Sequence, residues 1–106
     1  MKTITLCGCT RFKEDFEGVM REETLNGNIV ISVGLFSHSE DGGDAEIVIG
    51  EEIKEMLDKI HLHKIDMADE ILVINKGGYI RKSTSNEIEY AVKTNKLVRY
   101  MIDDQD

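Results

Sequence analysis

Four short apolar runs recur along this chain, and an amphipathic stretch separates each from the next. Short runs rich in β-branched residues read as strands, and apolar residues at helical spacing read as helices with one buried face. Lys2 to Cys7 is the first predicted strand. Phe12 to Leu25 follows as a helix, with Phe12, Phe16, Val19 and Met20 on its apolar side, and Asn26-Gly27 is its stop signal. Asn28 to Val33 is the second strand. Ala45 to about Ala68 reads as one long helix or two in line, with Ile49, Ile53, Met56, Leu57 and Ile60 as its stripe. Glu70 to Asn75 is a near-continuous apolar run, the pattern of a strand buried on both faces. Ser83 to Asn95 is the third helix, and Leu97 to Ile102 the last strand. The β-α-β-α-β-α-β order predicts a three-layer α/β fold, Rossmann-like or flavodoxin-like. Four parallel strands in the order 2-1-3-4 carry helices on both faces.

The length of 106 residues fits one domain over 1–106, and a hydrophobic content of 41% fits a globular chain. No stretch is long and apolar enough to span a bilayer, and Met1 to Gly8 reads as a strand and not a secretory signal. Cys7 and Cys9 are the only cysteines. A bridge between residues two apart on a strand end would be strained, so free thiols and a cytoplasmic setting are expected. They lack the C-x-x-C spacing of a zinc pair, and Cys7 reads as a small core residue. His61 and His63 diverge on a helix and read as surface residues, which leaves His38 as the one histidine for a ligand contact. No metal and no cofactor are expected. The net charge of −8 argues against a nucleic-acid surface. It leaves room for a small anionic ligand, because a pocket can gather local donors.

In open sheets of this kind, ligands bind beyond the carboxyl ends of the strands. The loops there are Gly8–Arg11, Gly34–Asp44 and Lys76–Lys82. In the first, Gly8 permits close backbone approach, the following helix start offers N–H groups, Thr10 adds a hydroxyl and Arg11 a fork of donors. The same residues equally make a tight turn with Thr10 as a cap. At Ser83-Thr84-Ser85-Asn86-Glu87, Glu87 is either a carboxylate presented to the cleft from a helix start or the closing member of a capping box with Ser83 or Thr84 as cap. Asp66, near the end of the long helix, is a second candidate carboxylate or a solvated surface charge.

Together these pieces resemble the nucleoside 2-deoxyribosyltransferase family, with its deoxynucleotide-hydrolysing branch and its short bacterial and phage relatives. Cys7-Gly8-Cys9-Thr10-Arg11 is similar to the family's C-G-S-x-R loop, with Cys9 at the usual serine. Asp66 with Ala68-Asp69-Glu70-Ile71-Leu72-Val73 is similar to its aspartate ahead of an A-D-hydrophobic strand. Glu87-Ile88-Glu89-Tyr90-Ala91 is similar to its E-[LI]-G-x-A helix, with Glu89 at the usual glycine. The resemblance implies that Glu87 is a nucleophile at the anomeric carbon of a 2-deoxyribose and that Asp66 assists at the sugar and leaving base. It implies a substrate and phosphate subsite from Gly8, Cys9, Thr10, Arg11, Ser83 and Thr84. Two carboxylates suit a bond whose cleavage develops positive charge on the sugar.

The expected function is therefore cleavage or transfer at the N-glycosidic bond of a 2-deoxyribonucleoside or its 5′-monophosphate. A non-catalytic nucleotide-binding or regulatory module and an NAD-related glycohydrolase are the alternatives. The expected partner is a small nucleoside or nucleotide, with no nucleic acid and no membrane. A homodimer or larger homo-oligomer is also expected, because the long helix carries apolar residues as far as Ile47 and Ile49.

Overall fold

A computed structural model of the chain describes residues 1–36 and 50–102. The strands are β1 (Thr3–Gly8), β2 (Ile29–Ile31), β3 (Glu70–Ile74) and β4 (Leu97–Tyr100). The helices are α1 (Lys13–Leu25), α2 (Glu51–Asp66) and α3 (Lys82–Lys93), with a short 3-10 turn at Lys76–Gly78. All three strand pairings are parallel and the order is β2-β1-β3-β4, as the alternation predicts. The register pairs Ile4 with Val30 and with Glu70, and Glu70 in turn with Leu97.

Side chains of a strand alternate between faces, and the two cores divide on that period. Ile4 and Leu6 of β1 join Leu72 and Ile74 of β3 and Phe16 of α1 on one face. Cys7 of β1 joins Ile71 and Val73 of β3, Ile65 of α2 and Ala91 of α3 on the other. β3 is buried along its whole length, which explains its unbroken apolar sequence. This is the three-layer, flavodoxin-like arrangement.

Three expectations shift. The predicted strand Asn28–Val33 contracts to Ile29–Ile31, because β2 is an edge strand with a partner on one side only. The predicted stripe on the long helix is not its buried face. Ile53, Met56 and Ile60 are 48%, 49% and 42% exposed, whereas His61 and Ile65, one turn apart, pack inward. His61 is thereby a buried residue and not a surface one. The predicted helix start at Ala45, Ile47 and Ile49, His38, and most of the Gly34–Asp44 loop lie outside the described residues.

At the end of β1, Gly8 has φ +148° and is paired with Ile74. A Cβ at Gly8 would lie 2.7 Å from the Ile74 carbonyl oxygen. The glycine therefore serves the approach of two strands at the edge where the site lies.

Candidate active site at the carboxyl edge of the sheet

A cleft of about 460 Å³ opens at the carboxyl ends of β1 and β2. Gly8 and Thr10 follow β1, Val33 to Phe36 follow β2, and Leu57, Asp58, Ile60, His61 and Lys64 project from α2. Arg81, Ser83 and Glu87 complete the lining from the α3 side. The carboxyl ends of the strands are where the topology of a doubly wound sheet puts a ligand, and the cleft's size lies within the range of about 300–1,000 Å³ for small-molecule sites.

Glu87 owes its position to where α3 begins. The helix starts at Lys82, one residue before the predicted start, after an extended Arg81 whose carbonyl accepts the Ser85 N–H at 3.0 Å. No side chain caps it. The predicted capping box is thus not formed: the early start carries Glu87 into the second turn, out of reach of the cap position. Its carboxylate instead meets Cys7 from the sheet and His61 from α2. His61 Nε2 lies 3.7 Å from Glu87 Oε1 and 3.3 Å from Cys7 Sγ.

Electrostatics at this point follow from burial. Desolvation, and next the nearby Asp58 charge, push the Glu87 carboxyl up to about 7, against the opposing pull of the Cys7 hydrogen bond, Arg81 and Lys54. Burial, helped by Lys64, lowers His61 to about 4. The imidazole is therefore neutral near pH 7, and its 3.7 Å approach to Glu87 is a polar contact and not an ion pair. Burial and the adjacent Glu87 push the Cys7 thiol well above its ordinary range, which keeps it protonated and a hydrogen-bond donor to the carboxylate.

The remaining predicted residues divide. Gly8, Thr10 and Ser83 line the cleft with Glu87. Cys9 is buried and accepts from Arg81 Nη1 at 3.6 Å, and Thr84 is buried in α3. Arg11 is exposed and stacks its guanidinium 5.2 Å from the centres of both the Phe12 and Tyr79 rings. Cys9, Arg11 and Thr84 are not among the described residues that line the cleft.

Asp66 is not brought to Glu87. It is the last residue of α2, exposed, and its Oδ1 accepts the Tyr90 hydroxyl at 2.7 Å. The carboxylate on the cleft is Asp58, eight residues earlier on the same helix. At about 1.5 Å of rise per residue, that separates the two by roughly 12 Å along the axis. Asp58 Oδ2 is held by Lys54 Nζ at 3.3 Å.

Sequence reasoning thus missed Asp58, His61, Lys64 and Arg81. One signal was available: Leu57, His61 and Ile65 recur at a spacing of four, and Asp58 and Lys64 flank that row. The same convergence assembles a set of potential metal ligands. Cys7, His61 and Glu87 each offer one ligand atom, and these atoms all lie within 4.8 Å of one another.

No family model and no curated protein matches the chain. Among the described residues, no helix is long and apolar enough to cross a membrane.

Proposed function

We propose that the chain binds a 2-deoxyribonucleoside or its 5′-monophosphate and cleaves or transfers at the N-glycosidic bond, with Glu87 as nucleophile and Asp58 as the second carboxylate. The observation that carries this reading is that both carboxylates line one cleft at the sheet's carboxyl edge, where Asp58 is felt electrostatically by Glu87.

In the first step a Glu87 carboxylate oxygen attacks the anomeric carbon. The bond to the base nitrogen breaks, its electron pair goes to the base, water supplies the proton the base takes up, and the charged Asp58 carboxylate stabilises the positive charge that develops on the sugar. The resulting ester is opened by water, which gives hydrolysis, or by a second base, which gives transfer. Burial serves the nucleophile, because a desolvated carboxylate is more reactive than a hydrated one. The Cys7 thiol fixes its orientation from below. Arg81 and Ser83 stand where a 5′-phosphate would find donors, in place of the exposed Arg11.

Product analysis with a deoxynucleoside, a deoxynucleotide, a ribonucleotide and NAD tests the reading. Free base from the first two supports it. Nicotinamide release from NAD supports the NAD-related glycohydrolase, and binding without cleavage supports the regulatory module. The exposed Ile53, Met56 and Ile60 on α2 also support the expected self-association. Light scattering that finds only monomer at micromolar concentration would remove that part.

A further inference from the structure

The point where Cys7, His61 and Glu87 meet has a second chemistry. Each residue comes from a different element, β1, α2 and α3, so the cluster exists only in the folded chain. Cys7 is fully buried and His61 nearly so, so these are not the exposed acidic groups that collect on any surface. Sulfur, imidazole nitrogen and carboxylate oxygen form the mixed donor set that zinc accepts.

The spacing agrees. With metal–ligand distances of about 2.3 Å to sulfur, about 2.0–2.1 Å to nitrogen and about 2.0–2.2 Å to oxygen, the edges of a tetrahedral site measure roughly 3.3–3.6 Å. The Cys7–His61 and His61–Glu87 separations are 3.3 Å and 3.7 Å. The third pair, Cys7 and Glu87, lies within 4.8 Å. His61 and Glu87 also line the cleft, so a fourth position opens toward it. Three ligands and one open position is the pattern of an accessible zinc site and not of a closed structural one. Magnesium and calcium are disfavoured, because they take oxygen ligands and this cluster supplies one carboxylate beside sulfur and nitrogen.

We infer that Cys7 Sγ, His61 Nε2 and a Glu87 carboxylate oxygen form a zinc site, and that a bound Zn²⁺ withholds Glu87 from the glycosidic reaction. Binding releases the thiol proton to solvent, and the thiolate and carboxylate together balance the metal's two charges. The inhibitory consequence rests on the proposed function; the metal site does not. Spacing along the sequence could not show it, because no two of the ligands are neighbours in the chain.

Titration of chelator-treated protein with Co²⁺ tests the site without reference to activity. The expected result is one equivalent bound, with a sulfur-to-cobalt charge-transfer band in the near ultraviolet that Zn²⁺ abolishes by displacement. Cys7→Ser should remove the band while its circular dichroism stays that of the parent, and Cys9→Ser should keep it. Glu87→Gln should weaken Zn²⁺ binding at least about tenfold. A wild-type protein without the band, or a band that survives Cys7→Ser and vanishes in Cys9→Ser, overturns the site. With a deoxynucleotide as substrate, one equivalent of Zn²⁺ should stop base release and a chelator should restore it. Base release that continues with the site filled overturns the inhibition. Absence of base release from metal-free protein overturns the proposed function, and the cobalt spectrum still decides the metal site.

Discussion

His61 Nε2 stands 3.7 Å from Glu87 Oε1, and the imidazole is neutral because burial lowers it to about 4. Glu87 thus has no cation on that side, and burial with the Asp58 charge places its carboxyl at about 7. In the proposed mechanism the nucleophile is the ionised form. In metal-free buffer, kcat/KM should therefore be low below pH 7, rise about tenfold per pH unit, and level off above it. Asp58→Asn removes a charge that raises Glu87, so it should move the midpoint to lower pH. A profile flat from pH 5 to 8, or an upward shift in Asp58→Asn, counts against this assignment.

Asp58 and Asp66 lie on the same helix with different surroundings. Asp58 faces the cleft beside Lys54, and Asp66 is engaged by the Tyr90 hydroxyl. Asp58→Asn should slow base release by about 10²–10³-fold, the usual cost of losing one electrostatic contact to a charged transition state. Asp66→Asn and Tyr90→Phe should leave the rate within about twofold, since an exposed hydrogen bond away from the site contributes at most modestly to stability. Steady-state kinetics on the three variants decides the matter. The reverse ranking would return the role to Asp66.

The opposite edge of the sheet carries a separate ion network. Glu70 is 1% exposed, and its two oxygens meet Arg99 Nε at 2.7 Å and Lys2 Nζ at 3.2 Å. Arg99 also reaches Glu23 at 3.3 Å. Arg99→Ala would leave two largely buried carboxylates poorly compensated. The cost should be about 1–3 kcal/mol, below that of a fully buried pair because Arg99 is itself partly exposed. Urea denaturation should show the lower midpoint, with base release at the distant cleft unchanged for the folded fraction. An unchanged midpoint would mean that the network is solvated and structurally neutral.

The fold was legible because its signals are local. Ile71 to Ile74 pack into both cores, and a strand with two buried faces has no polar positions to confuse the pattern. Parallel pairing and strand order then follow from the alternation with helices. Glu87 was legible as a residue, but its surroundings were not. Its neighbours Cys7 and His61 are 80 and 26 positions away in the chain and meet it only when β1, α2 and α3 pack together. Asp66 does not line the cleft for a different reason. A sequence motif fixes a residue near a helix end, whereas the cleft is lined by the helix face that carries Asp58, His61 and Lys64, and Asp66, two residues past Lys64, is turned away from that face. The buried stripe was misread because it includes a histidine, while the apolar Ile53, Met56 and Ile60 remain exposed.

The most direct test of Glu87 as nucleophile is to expose metal-free protein to a 2-deoxyribonucleoside and its 5′-monophosphate, follow free base by chromatography, and quench samples for intact and peptide mass. The account predicts base release from the parent protein. It also predicts a transient mass gain of one deoxyribosyl or phosphodeoxyribosyl group on the peptide that contains Glu87. Glu87→Gln, which keeps shape and hydrogen bonding, should lose both signals, with the rate down by more than about 10⁴-fold and the circular dichroism unchanged. Base release that survives in Glu87→Gln, or an adduct on a peptide without Glu87, would contradict it.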